Sequence, residues 1–127
     1  MRFARESAGV FLFASALYAA PPCPVSGAKP TLQELTAAAV GYADKGQAAC
    51  AEEVARRAIA LDPNEAAPYA VLGRALQAAG QKTGAIAAWR KATALAPREP
   101  GSFAALGQAL AEQARHAEAA EAFRNAV

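Results

Sequence analysis

The feature that most constrains this chain is that it repeats itself every 34 residues. Leu35, Tyr69 and Phe103 fall in one column, and Tyr42, Leu76 and Leu110 in another. Leu72-Gly73 returns as Leu106-Gly107, Gly46 aligns with Gly80, and Ala114 stands there in the third copy. Trp89 matches Phe123, Pro63 matches Pro97, and Arg56, Arg90 and Arg124 make a further column. Alanine columns arise by chance in an alanine-rich chain, but bulky residues, glycines and prolines in one register do not. A unit that recurs in this way cannot bury its apolar side alone and must stack on its neighbours.

Alanine fills roughly three positions in ten, with Leu, Glu, Arg and Gln making up much of the rest. Such residues lose little side-chain freedom in a helix, whereas the β-branched and aromatic residues that favour strands are scarce. The pattern predicts six helices in three antiparallel pairs: Leu32–Lys45 and Ala48–Leu61, Ala66–Ala79 and Gly84–Leu95, Gly101–Gln113 and Ala117 onward. Thr31-Leu32-Gln33-Glu34 has the form of a capping box and marks the first start. Gly80 suits a helix end that needs positive φ, and Pro63 and Pro97 stop the second helix of a pair.

These columns resemble the tetratricopeptide repeat. The second copy carries that family's pattern nearly whole, as Tyr69, Leu72, Gly73, Leu76, Gly80, Ala85, Trp89, Ala92 and Pro97. The third has Phe103, Leu106, Gly107, Leu110, Ala119, Phe123 and Ala126. The first departs from it at Ala38-Ala39, where Leu-Gly is usual, and at Ala55, where an aromatic is usual. The resemblance implies an all-α fold of repeats 32–65, 66–99 and 100–127, stacked as a right-handed α-solenoid. It also implies a concave face, built by the first helix of each pair, along which peptides lie. Carried onto this sequence, the groove columns are Gln33, Thr36, Val40 and Asp44, then Ala67, Ala70, Arg74 and Gln77, then Gly101, Ala104, Gln108 and Ala111. Arg74 there is expected to fork onto a carboxylate, with Gln77 and Gln108 as further polar groups. The clamp that family members use on chaperone tails is absent, because its columns hold Thr36, Val40, Gly101 and Ala105.

No catalytic constellation accompanies the repeat. There is no Gly-rich phosphate loop, no CxxC and no HExxH, and the single histidine, His116, reads as a surface turn residue without a metal-ligand partner. The expectation is therefore a non-enzymatic scaffold for a protein or peptide partner, with no cofactor, metal or small-molecule substrate. The alternative is the recognition module of a larger enzyme, or of a membrane-tethered assembly factor, whose remaining domains lie beyond Val127. A formal net charge of +2 on 127 residues gives no concentrated basic surface for nucleic acid. The arginine column, with Arg57 and Lys91 beside it, has Glu52, Glu53 and Glu121 within a turn and reads as a salt-bridged, solvated face.

Ahead of the repeats, Arg2 and Arg5 precede an apolar run from Ala8 to Ala20 that Pro21-Pro22 terminates. Thirteen residues make about 20 Å of helix, short of a hydrocarbon core of about 30 Å. The segment 1–28 reads as an export signal cut after Ser26-Gly27-Ala28, which places the protein in the periplasm or cell envelope of a bacterium. Cleavage after Ala20, and retention as a membrane tether through residues 8–20, are the alternatives. Lipid on Cys23 is disfavoured by the prolines just before it. If Cys23 leaves with the signal, Cys50 remains as a lone small packed residue. If the segment stays, a Cys23–Cys50 disulfide is open in an oxidising compartment. Val127 falls inside the last predicted helix, so a continuing chain or a partner is expected to cover the outer face of the third pair.

Overall fold

The structure, a computed structural model, describes residues 23–127. The basic start, the apolar run and the prolines of the expected targeting segment lie outside the described residues. The repeats form six helices: α1 Leu32–Asp44, α2 Ala48–Leu61, α3 Ala66–Ala78, α4 Lys82–Leu95, α5 Pro100–Glu112 and α6 His116–Asn125. Each helix packs on the next in the chain, and α1 also touches α3, so the pairs stack as a helical solenoid.

Local chemistry sets the boundaries. Thr31 Oγ1 accepts from the Glu34 amide at 3.2 Å, and the Thr31 amide donates to Glu34 Oε2 at 2.7 Å, the capping box expected for α1. The turn inside each pair is one motif used three times. After α1, Gly46 N–H donates to Ala43 O and Gln47 N–H to Tyr42 O. The same two bonds run from Gly80 and Gln81 after α3, and from Ala114 and Arg115 after α5. This closure requires a left-handed residue just past the helix. Gly46 (φ 74°) and Gly80 (φ 79°) adopt it freely, whereas Ala114 holds φ 59° with a β-carbon. Immediately beyond each motif the next helix begins, which is why α4 starts at Lys82 and α6 at His116 rather than at Gly84 and Ala117. His116 is thus the first residue of a helix, not part of the turn. Pro100 opens α5, one residue before the expected Gly101, because a first-turn proline gives up an amide that has no helical partner anyway.

The core is a seam of alanines with a few large residues wedged between them. Ala39, Ala51, Ala55, Ala58, Ala85 and Ala92 are fully buried. Trp89 is 5% exposed and packs against Gly73, where an added β-carbon would meet the indole at 2.6 Å. Phe123 packs against Gly107 in the same way, at 2.8 Å. In the first repeat these columns hold Ala39 and Ala55, so the departure from the family pattern is reciprocal: the methyl appears where the ring is gone. The indole Nε1 of Trp89 is buried without a hydrogen-bond partner.

Residues 23–30 run alongside the first repeat as a strap. Cys23 is bonded to Cys50 of α2, with Cα atoms 5.2 Å apart, and is 2% exposed. Tyr42 Oη donates to Pro24 O at 2.6 Å, and Val25 packs on the core. With residues 23–30 present, Cys50 is therefore a covalent anchor, the arrangement expected if the segment stays, and the strap spans the position of the expected cut after Ala28.

Candidate partner-binding groove

The first helices α1, α3 and α5 share one face, and along it lie two adjoining hollows. The first, about 330 Å³, is lined by the apolar Leu32, Ala37, Val40 and Pro68 together with Gln33, Thr36 and Glu65. The second, about 250 Å³, is bounded by Ala66, Ala70, Val71, Arg74, Glu99 and Ser102. Ala67 belongs to both. Small side chains on α3 keep this stretch open, since a larger residue at Ala67 or Ala70 would occupy the space between helices.

Of the residues expected to form the groove, Gln33, Thr36 and Val40 line the first hollow, and Ala70 and Arg74 the second. Ala104 and Gln108 are exposed on α5 and bound neither hollow. Their polar groups are less available than the sequence suggests. Thr36 Oγ1 donates to Leu32 O at 2.8 Å, within its own helix. Arg74 does not present a free fork for a carboxylate: its Nη2 lies 3.1 Å from Asp44 Oδ1 across the α1–α3 boundary. Gln77 donates from Nε2 to Glu112 Oε1 at 3.3 Å, tying α3 to the end of α5.

Three contributors escaped the sequence reading. Glu65 and Glu99 stand 34 residues apart at the N-caps of α3 and α5, and neither carboxylate has an intramolecular partner among the described residues. That column was visible in the repeat. Ser102 is 7% exposed, and its hydroxyl makes no hydrogen bond among the described residues. Its column mate, Pro68, is fully buried, which is the available signal that position 102 faces inward.

The second helices carry the arginine column, of which Arg56 and Arg90 are ion-paired while Arg124 makes no ion pair among the described residues. Arg56 pairs with Glu52 at 3.2 Å, while Arg90 and Arg115 both engage Glu118, Arg115 at 2.8 Å. At the far end Phe123 is 44% exposed, whereas Trp89, its counterpart one repeat earlier, is covered. Among the described residues no group of three His, Cys, Asp or Glu could hold a metal ion, and no helix is long and apolar enough to cross a membrane.

Solved structures share this fold. MamA superposes with a TM-score of 0.72 at 27% identity, over 75% of this chain and 56% of that one. The second TPR of Spaghetti (RPAP3), bound to the HSP90 peptide SRMEEVD, gives 0.72 at 22% identity over 76% and 89%. SycD, the type III secretion translocator chaperone of Yersinia enterocolitica, gives 0.72 at 24% identity over 78% and 75%. The chain spans just over half the length of MamA. No family model and no curated protein matches the sequence. With its repeat register and its six helices, the chain shares the tetratricopeptide-repeat fold of these neighbours.

Proposed function

We propose that this protein is a non-catalytic adaptor that holds an extended segment of a protein partner across α1, α3 and α5. The observation that carries this reading is the pair of hollows joined at Ala67, which offers a continuous, small-residue path along the first helices. An extended segment suits such a path because close approach of its backbone is possible only where side chains are small. The fold of the RPAP3 domain, which holds a peptide, and of the SycD chaperone supports the same class of role. Capture of proteins from an extract of the source cells tests it. The wild-type chain should retain partners that an Ala67→Trp variant, with the junction filled, does not. Equal capture by both would overturn the groove assignment.

We further infer that the protein works outside the reducing cytosol, with residues 23–30 kept in the mature chain. A Cys23–Cys50 bond persists where thiols are not continually reduced. Removal of any export signal would then fall ahead of Cys23, rather than after Ala28 as the small-x-small rule suggests. Cys23, being bonded to Cys50, is also not the lipid-bearing residue. Intact mass of the natural protein decides this: the reading requires both cysteines present and blocked to alkylation until reduction. A chain beginning at Lys29 with one free thiol would contradict it.

A further inference from the structure

We propose that the groove selects an extended segment carrying an apolar side chain and, about three residues away, a lysine or arginine. The proposal rests on the groove reading above and adds the chemistry of its occupant.

The first hollow sets the apolar half. Leu32, Ala37, Val40 and Pro68 are its apolar lining, and the Thr36 hydroxyl that also lines it is already committed to Leu32 O. An apolar side chain entering it leaves water without forfeiting a hydrogen bond, and each Å² of apolar surface removed from water is worth roughly 25 cal/mol.

The second hollow sets the charged half. It contains one cation, Arg74, but Asp44 stands against that guanidinium and cancels its charge. Glu99 on the same hollow and Glu65 on the first have no counter-ion among the described residues. The charges at the two hollows and their flank are therefore Glu65, Glu99 and Asp44 against Arg74, a balance that repels an anionic segment and attracts a cationic one. Ser102 points independently to a ligand. Its residue is nine-tenths buried at the second hollow, and its hydroxyl has no partner among the described residues, which leaves it free to bond to a ligand there. A lysine ammonium donating to Glu99 and to Ser102 Oγ would satisfy both.

The spacing follows from the repeat. Neighbouring first helices are separated by about one helix diameter, roughly 10 Å. An extended polyproline-like segment advances about 3.1 Å per residue with threefold periodicity, so positions i and i+3 face the same way about 9 Å apart. One residue enters each hollow, and the two between them cross Ala67.

The test uses the full chain and two nine-residue peptides on a proline-rich extended scaffold. One carries leucine and lysine three residues apart, and in the other glutamate replaces the lysine. A rim ion pair contributes about threefold and the matching repulsion a similar factor, so the lysine peptide should bind about tenfold more tightly. That preference should shrink severalfold in Glu99→Gln and in Ser102→Ala, and fall with added salt. Equal binding of the two peptides, preference for glutamate, or binding of neither would overturn the proposal. If the glutamate peptide binds and Ala67→Trp abolishes its binding, the groove stands and only its charge preference is wrong. Binding that ignores Ala67→Trp removes the groove reading as well.

Discussion

Gly73 exists as glycine because Trp89 lies against it: a β-carbon at position 73 would fall 2.6 Å from the indole ring. This contact joins the two helices of the second repeat. The first repeat solves the same crossing with Ala39 and Ala55, both fully buried. Two solutions, glycine with ring and alanine with alanine, therefore coexist in one chain.

A double-mutant cycle should reveal the exchange. Gly73→Ala alone adds a methyl where none fits and should destabilise by about 1–3 kcal/mol despite alanine's better helix propensity. In a Trp89→Ala background, itself costly by about 3–5 kcal/mol, the same substitution should become neutral or stabilising. Urea unfolding of the four proteins gives the coupling energy. Additive effects would show that the ring and the glycine are not partners.

Trp89→Phe should change stability by no more than about 1 kcal/mol. The smaller ring loses apolar contact but removes a buried N–H that has no partner, and an orphaned donor costs about 1–3 kcal/mol. Phe123 already occupies this column in the third repeat. A loss as large as that of Trp89→Ala, measured by thermal unfolding, would mean that the indole nitrogen is satisfied in solution.

Ala114 and Gly80 should respond in opposite senses to exchange. Both hold the left-handed turn after a first helix, at φ 59° and 79°. Left-handed geometry costs a β-carbon about 1–2 kcal/mol, partly offset by the extra freedom that glycine has when unfolded. Ala114→Gly should therefore raise the melting temperature by a few degrees, and Gly80→Ala should lower it. Movement of both in the same direction would separate the turn geometry from stability.

Reduction should weaken the first repeat. The Cys23–Cys50 bond closes a loop of sequence separation 27, and the chain-entropy estimate for such a loop is about 3.5 kcal/mol. Denaturation midpoints with and without reductant should differ by that order, and the difference should vanish in Cys50→Ala. Equal midpoints would mean that the strap contributes nothing to the fold.

The repeat was legible because its columns combine residues with separate jobs, such as the Gly80 turn, the Trp89 wedge and the Pro97 stop. Those jobs are local, set by φ, by side-chain size or by a missing amide. The groove was less legible, since the state of a polar side chain there depends on its neighbours. Arg74 is thirty residues from Asp44 in sequence, and only the α1–α3 packing brings them to 3.1 Å. The strap lies ahead of the repeated columns, so the period carried no information about where Cys23 would go. Nothing in the repeat columns singles out Ser102 until Pro68, its column mate, is seen to be buried.

Partners should lie along the first helices and not on the arginine-bearing second helices. A photo-activated crosslinking amino acid placed at Ala67 in the groove, and in a second variant at Ala87 on α4, tests it directly in the source cells. Both positions are exposed, so each can carry the probe without disturbing the core. Partner adducts from position 67 and none from position 87 are the predicted result. Adducts from position 87 alone would put the interaction on the opposite face and contradict the account.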